Sequence, residues 1–306
     1  MIFNSPVYPL CPSFNGGEDN NLEIESTKKY IKFLEERGVQ HIMTTAGTSQ
    51  FNLLSVEEIR KLNSTLKEFK YNKIVGIPQL SLVHIKEEIK YYNSFFKGVE
   101  NVYLLILFPE RYYNDEQIVN YFNEISELSN FPILAHGNTL RKGYGGTYIY
   151  ENQLLSKLSE IPNFIGIKEE SPTIDFSIKE MNSLNLEIIV AGGSMRRFWC
   201  LHPFGATSYL SGVGSFFPNL EEIFYNMMWM GKLEEAKYMM KSIEYPLFKI
   251  FMSVGWHASM RYTLQTMGFI KNNRSPFVEL SDSDKEKINN ILTNIKKYEN
   301  TYNRTL

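Results

Sequence analysis

The sequence has 306 residues, of which 43% are hydrophobic and 22% are charged, and its formal net charge at pH 7 is −2. These values are typical of a globular protein and indicate no basic surface of the kind that binds nucleic acid. The two cysteines, Cys11 and Cys200, are too far apart for a zinc or redox motif. The histidines likewise share no metal-ligand spacing, so we expect neither a metal nor a cofactor.

The beginning of the chain has neither a basic segment nor a long apolar run, so we expect no signal peptide. The longest apolar stretch, residues 102–108, is too short to cross a bilayer, and no membrane partner is expected. Two cysteines provide no disulfide framework, which favours a cytoplasmic location.

The first two thirds of the chain alternate predicted strands with predicted helices. Strands are expected at residues 6–10, 41–46, 73–78, 102–108, 131–136, 164–168, 187–191 and 207–211. Helices are expected at residues 22–37, 55–69, 82–96 and 115–129, before residue 160, and at residues 174–184 and 194–203. Short connections between alternating strands and helices favour a parallel sheet.

Eight strand and helix units of roughly 25 to 30 residues match the spacing of a (β/α)₈ barrel. The remainder is predicted to be helical at residues 220–230, 233–251 with an interruption at Pro246, 257–267 and 282–298. We therefore predict an α/β fold with a TIM barrel over residues 1–218 and a C-terminal helical extension over residues 219–306. The alternative is a doubly wound open sheet, but no glycine-rich phosphate loop follows the first strand.

Lys168 ends the short apolar run 164–167, which is typical of a strand buried on both faces. Burial disfavours the charged ammonium, and a neutral lysine amine is the nucleophile that forms a Schiff base with a carbonyl substrate. The structural alternative is an ion pair of Lys168 with Glu169 or Glu170.

The carboxyl ends of the strands in such a barrel face one shared pocket. The residues expected there are Thr44, Thr48, Ser49, Gln50, Tyr112, Tyr113, His136, Arg141, Lys168, Gly192, Ser194 and Ser211. A buried amine, small hydroxyl groups, a titratable ring and a guanidinium are the groups needed to bind and activate a 2-oxo acid. We therefore predict a small-molecule 2-oxo acid as the ligand.

Three segments, residues 47–51, 164–169 and 205–211, together resemble motifs of the dihydrodipicolinate synthase and N-acetylneuraminate lyase superfamily of Schiff-base (β/α)₈ enzymes. The first and third segments are most similar to the sugar-acid dehydratases of that superfamily. The resemblance implies that Lys168 is the Schiff-base lysine and that Thr48 and Ser49 hold the substrate carboxylate. It also implies a homo-oligomer, either a dimer or a tetramer.

Residues 135–143 depart from the family pattern. His136 occupies the place of the tyrosine that relays protons, whereas Arg141 coincides with the family's arginine. A histidine can also act as a general acid or base. Gln50 replaces an acidic residue, and Gly193 and Ser194 stand where lyases acting on sialic acid carry acidic residues. Both changes argue against N-acetylneuraminate as the substrate.

We predict a Schiff-base aldolase or dehydratase that acts on pyruvate or a 2-keto-3-deoxy sugar acid, with Lys168, His136 and Tyr113 as catalytic residues. Tyr112 or Tyr113 also matches the tyrosine that reaches a neighbouring subunit's site in the synthases. The alternative is that this pair packs at a subunit contact or on a loop. The predicted substrate-binding residues are Thr48, Ser49, Gln50, Arg141, Gly192, Ser194 and Ser211. The alternative functions are a 4-hydroxy-tetrahydrodipicolinate synthase and a catalytically degenerate protein that binds a 2-oxo acid.

Overall fold

The computed structural model describes residues 1–44, 47–79, 81–109, 114–137, 152–171, 173–181, 185–277 and 279–302. Within these residues the strands are β1 Val7–Pro9, β2 Ser13–Phe14, β3 Leu22–Glu23, β4 His41–Met43, β5 Asn72–Ile77, β6 Val102–Leu107, β7 Ile133–His136, β8 Phe164–Glu169, β9 Glu187–Val190 and β10 Ser208–Tyr209. The α-helices are α1 Ile24–Glu35, α2 Val56–Ser64, α3 Leu82–Phe95, α4 Asp115–Leu128, α5 Asn152–Ser159, α6 Ile174–Met181, α7 Ser194–Leu201, α8 Pro218–Trp229, α9 Leu233–Met239, α10 Tyr245–Val254, α11 Trp256–Thr266 and α12 Asp282–Tyr302.

Eight of the strands form one sheet in the order β1-β4-β5-β6-β7-β8-β9-β10. Neighbouring strands from β4 to β10 are parallel, and a parallel bridge between Val7 and Leu210 nearly closes the sheet. Helices follow in the connections, so the predicted (β/α)₈ barrel with a C-terminal helical region is confirmed. Every residue of β6 is buried, because both faces of a barrel strand are covered.

The chain divides into two compact units that interleave in sequence. The first contains residues 1–7, 41–43 and 70–210, and hence most of the barrel strands. The second contains residues 8–40, 44–69 and 211–306, and hence α1, α2 and the helices from α8 onward. The predicted boundary between residues 218 and 219 stays a prediction.

The second unit has a small apolar cluster formed by Phe14, Leu22 and Leu62. The Arg274 guanidinium lies 4.2 Å from the centre of the Phe14 ring and makes two hydrogen bonds of 2.8 and 2.7 Å to the carboxylate of Glu58. Such a two-point contact fixes direction as well as distance. Arg274 therefore ties the C-terminal segment of this unit to α2.

Three local features differ from the sequence prediction. The predicted helix 55–69 ends as α2 at Ser64 and continues as a 3₁₀ turn, Thr65–Glu68. The predicted helix 233–251 is α9, a π-helical segment Met240–Glu244 and α10, with Pro246 in the first turn of α10, where a proline's missing N–H costs least. The antiparallel hairpin β2–β3 was not predicted, because two-residue strands are too short to show alternation.

Across the described ranges, no helix combines the length and apolar character needed to span a membrane.

Candidate functional site

Lys168 and His136 meet because their strands are neighbours. His136 is the partner of Lys168 in the parallel pairing of β7 with β8, and paired residues project to the same face of a sheet. Lys168 Nζ lies 2.8 Å from His136 Nε2, and the two residues are 1% and 2% exposed. Since an ammonium can only donate, Nε2 accepts, and a neutral ring then carries its proton on Nδ1.

Glu170 is the third member of this cluster and is half-buried. It follows Lys168 by two residues, and such residues share a face of an extended chain. Lys168 Nζ donates to Glu170 Oε2 at 2.9 Å, and that oxygen is 3.4 Å from His136 Nε2. Burial by itself would raise the pKa of Glu170, but Lys168, chiefly through its charge, and His136 together lower it to about 2. The contact is therefore an ion pair to a carboxylate that stays ionised at neutral pH.

Glu169 points to the opposite face of the same strand end. Its Oε1 accepts hydrogen bonds from Ser171 N at 2.6 Å, Ser177 Oγ at 2.9 Å and Arg197 Nη2 at 3.0 Å. Ser177 belongs to α6 and Arg197 to α7. Glu169 thus anchors the end of β8 to two helices and fixes the backbone from which Lys168 projects.

The structural alternative from the sequence is partly correct. Lys168 does pair with Glu170, whereas Glu169 pairs with Arg197. The sequence analysis considered Glu170 only as a structural partner and did not place it in the site. The signal that could have found it is the two-residue spacing from Lys168, which puts both side chains on one face.

Gly192 lies in the turn between β9 and α7, and Ser194 is the first residue of α7. Both have positive φ values, 76° for Gly192 and 43° for Ser194. A serine in this left-handed region is uncommon, and Ser194 is only 3% exposed. The backbone between β9 and α7 therefore includes left-handed conformations at both positions, and the substrate-binding role of Gly192 and Ser194 stays a prediction.

The predicted carboxylate-binding residues Thr48 and Ser49 lie in a 3₁₀ turn, Gly47–Ser49, and Gln50 follows it. Thr48 is half-buried, whereas Ser49 and Gln50 are buried. Gln50 Oε1 accepts a hydrogen bond of 2.8 Å from Arg261 Nη1, so the amide NH₂ group of Gln50 points away from this guanidinium. Within the described part of the chain, Gln50 Nε2 and Ser49 Oγ have no protein hydrogen-bond partner.

Arg261 is a buried residue of α11 that sequence reasoning missed. Besides Gln50, it donates to the carbonyl oxygens of Pro12 and Asn272 at 2.9 and 3.0 Å and to Asn273 Oδ1 at 2.5 Å. Burial lowers the pKa of its guanidinium to about 10, so it remains a cation at neutral pH. In the sequence it resembles any helix arginine, because its partners are scattered along the chain.

Ser211 follows the last barrel strand and is 3% exposed. Its Oγ finds no hydrogen-bond partner among the residues that the structure describes. The loop after it is fixed by Glu221 Oε1, which accepts from Gly212 N at 3.1 Å and Gly214 N at 2.9 Å. A β-carbon on residue 214 would lie 2.7 Å from Ser211 Oγ, so glycine there leaves room for the hydroxyl.

The structure brings Lys168 together with one predicted neighbour, His136, and adds Glu170. Gly192 and Ser194 lie in the same compact unit, whereas Thr48, Ser49, Gln50 and Ser211 lie in the other. Tyr112, Tyr113 and Arg141 are outside the described residues. In the described ranges, His, Cys, Asp and Glu form no group of three or more that could hold a metal.

The comparisons with known proteins agree on one family. The sequence model of the dihydrodipicolinate synthetase family matches residues 7–295. A 4-hydroxy-tetrahydrodipicolinate synthase from Thermotoga sp. strain RQ2 is 25% identical over 301 residues, covering 95% of this chain and 98% of that protein.

Two solved structures are similar in fold. Dihydrodipicolinate synthase from Thermotoga maritima has a TM-score of 0.80 at 22% identity, covering 96% of this chain and 98% of that one. The chloride-inhibited dihydrodipicolinate synthase from Acinetobacter baumannii, solved in complex with pyruvate, has a TM-score of 0.80 at 20% identity, covering 96% of this chain and 99% of that one.

Proposed function

Because the chain belongs to the dihydrodipicolinate synthetase family and is a class I lyase or aldolase, we propose that it forms a Schiff base between Lys168 and a 2-oxo acid. The observation that carries the proposal is a buried lysine amine at the end of a barrel strand, 2.8 Å from an imidazole nitrogen. A lysine becomes nucleophilic when an adjacent group removes its proton. His136 is that group.

The first step conserves charge. His136 Nε2 accepts a proton from the Lys168 ammonium, and the neutral amine adds to C2 of the 2-oxo acid. His136 then returns the proton to the hydroxyl of the carbinolamine, which leaves as water. An ammonium and a ketone thus become an iminium and water, and the positive charge remains at Nζ.

The iminium then withdraws electrons from the bonds at C3. Loss of a proton from C3 gives an enamine, which either adds to an aldehyde or expels a hydroxyl group from C4. The reverse of the first reaction cleaves a C–C bond. The resemblance of segments 47–51 and 205–211 to sugar-acid dehydratases supports pyruvate or a 2-keto-3-deoxy sugar acid as the substrate.

We propose that Thr48 and Ser49 hold the substrate carboxylate, helped by the amide of Gln50. Their motif and the unpartnered Ser49 Oγ and Gln50 Nε2 support this role. The further residues proposed to bind or relay protons to the substrate are Tyr113, Arg141, Gly192, Ser194 and Ser211. A cytoplasmic homo-oligomer with a barrel over residues 1–218 completes the proposal, supported by composition, strand spacing and family resemblance.

A second candidate is 4-hydroxy-tetrahydrodipicolinate synthase, which is the name of the Thermotoga relative. It requires condensation of pyruvate with aspartate semialdehyde. Turnover with that aldehyde, measured beside a panel of sugar acids, separates the two reactions.

The proposed function is tested by borohydride reduction of the protein in the presence of pyruvate and of longer 2-oxo acids. Peptide mapping is expected to find the reduced adduct on Lys168 and none in Lys168→Met. Lys73 is an internal control, because it is equally buried but donates to the carbonyl oxygens of Tyr71 and Glu100. No adduct from folded protein with any 2-oxo acid, or an adduct only on other lysines, would contradict the proposal.

A further inference from the structure

We propose that Glu170 is the counter-ion of the protonated imine that forms at Lys168. This inference rests on the proposed function, since it concerns the product of the first step. It assigns Glu170 a catalytic role, because its carboxylate contacts the reacting nitrogen itself.

The distances support this assignment before any substrate is bound. Glu170 Oε2 lies 2.9 Å from Lys168 Nζ, and the positive charge stays on that nitrogen when the ammonium becomes an iminium. A carboxylate that pairs with the first cation is therefore already in place for the second. It needs no rearrangement other than the loss of N–H bonds that point toward the substrate.

The chemistry requires the imine to be protonated. A neutral imine is a poor electron acceptor, whereas the iminium draws electrons from C3 and makes the proposed bond changes possible. An opposite charge within about 4–6 Å typically moves a pKa by about 1–3 units toward the charged form. Glu170 thus keeps the imine protonated at a pH where an unassisted imine would lose its proton.

Electrostatic support is a better assignment for Glu170 than proton transfer. Burial raises the pKa of Glu170, but Lys168 and His136 together outweigh it and hold that pKa at about 2, so the carboxylate is a weak base at neutral pH. His136, which contacts both Lys168 Nζ and Glu170 Oε2, is the group suited to move protons. In this cluster Glu170 therefore stabilises the positive charge, whereas His136 transfers protons.

The neighbouring charges leave this pairing intact. The described titratable or charged groups that contact the Lys168 amine are His136 from β7 and Glu170 from the end of β8. Glu169 and Arg197 are close in sequence or space, but they neutralise each other on the opposite face of the strand. One carboxylate is thus directed at Nζ from the described elements around it.

The test measures the protonation of the imine directly. Cyanoborohydride reduces a protonated imine selectively, whereas borohydride reduces both forms. After equilibration with saturating pyruvate, the ratio of the initial rates of adduct formation on Lys168 with the two reagents reports the protonated fraction. The ratio is followed from about pH 6 to about pH 10 for the wild-type protein, Glu170→Gln, Glu170→Asp and the exposed control Glu160→Gln.

We expect the midpoint of this ratio to fall by about 1–3 pH units in Glu170→Gln and to stay unchanged in Glu160→Gln. Glu170→Asp, which keeps the charge but moves it away from Nζ, is expected to lie between wild type and Glu170→Gln, and it decides the question if the Gln variant does not fold. Equal midpoints in all folded variants would overturn the counter-ion role while leaving the Schiff base intact. The absence of any wild-type adduct would instead overturn the proposed function, and this inference with it.

Discussion

Gly166 and Glu187 lie directly opposite each other in the parallel pairing of β8 with β9. A β-carbon on residue 166 would lie 2.0 Å from the carbonyl oxygen of Glu187. The two strands therefore approach closely at this point only because residue 166 has no side chain, and the approach occurs two residues before Lys168.

Gly166→Ala is expected to lower the free energy of unfolding by about 3 kcal/mol or more, because the strands must separate to admit the methyl group. Denaturant unfolding measures the loss. Gly47→Ala is the matched control, since no atom of the residues that the structure describes lies within 4 Å of a β-carbon at that position, and its expected change is within about 0.5 kcal/mol. Equal stability of the two variants would contradict the close approach.

His136→Gln is expected to slow formation of the imine at Lys168 by about 10²- to 10⁴-fold. Glutamine can still hydrogen-bond to the Lys168 amine but cannot accept its proton. The rate is measured by quenching mixtures of protein and pyruvate with borohydride at successive times. His84→Gln, on the exposed face of α3, controls for the loss of a histidine, and an unchanged rate in His136→Gln would exclude His136 as the base.

Arg197→Met is expected to destabilise the protein by about 3–5 kcal/mol, because it leaves the Glu169 carboxylate buried without its cation. Arg196→Met changes the preceding, exposed residue of the same helix, and a loss below about 1 kcal/mol is expected. Unfolding midpoints of the two variants give the comparison. If Arg197→Met lowers stability no more than Arg196→Met does, burial of Glu169 does not depend on this ion pair.

Glu222→Gln is expected to stabilise the protein at pH 8 but hardly at pH 5. Burial raises the pKa of Glu222, the Tyr8 hydroxyl opposes the rise, and Glu221 adds to it, so that the pKa is about 7 rather than 4.5. Between these values the folded protein binds more protons than the unfolded chain, so stability falls as pH rises through this window. A glutamine side chain does not titrate, so the variant avoids this fall in stability with pH. It can still accept the 3.0 Å hydrogen bond from Tyr8.

For a half-buried side chain the expected gain of Glu222→Gln at pH 8 is about 1–2 kcal/mol. Denaturant unfolding at both pH values measures it. Glu235→Gln, an exposed position on α9, is expected to change little at either pH. An equal gain at pH 5 and pH 8 would show that the charge of Glu222 is not its cause.

The fold was predictable from the sequence because barrel strands and helices differ in hydrophobic period and alternate regularly. The pairing of Lys168 with His136 was also accessible, since both residues end neighbouring strands. Ser55 and Glu58 form the capping box that their spacing indicates. These features depend on local patterns or on strand order.

The contacts that escaped prediction depend on distant parts of the chain. Arg261 binds Pro12, Gln50 and Asn273, and no local pattern distinguishes it from a surface arginine. Arg197 is similar, because its role depends on how α7 packs beside β8. Glu170 is different, since its two-residue spacing from Lys168 was visible but its orientation required knowing where the strand ends.

Successive side chains at the end of β8 point to opposite faces of the strand. Lys168 contacts His136 on one face, and Glu169 contacts Arg197 on the other. A slip of one residue would exchange the amine and the carboxylate between the two faces. It would place an acid against His136 and a lysine against Arg197, so the shifted strand would meet two wrong partners at once. An insertion or deletion within residues 164–167 is therefore a greater hazard to this protein than most substitutions there, because it changes which face each of the two charged side chains occupies.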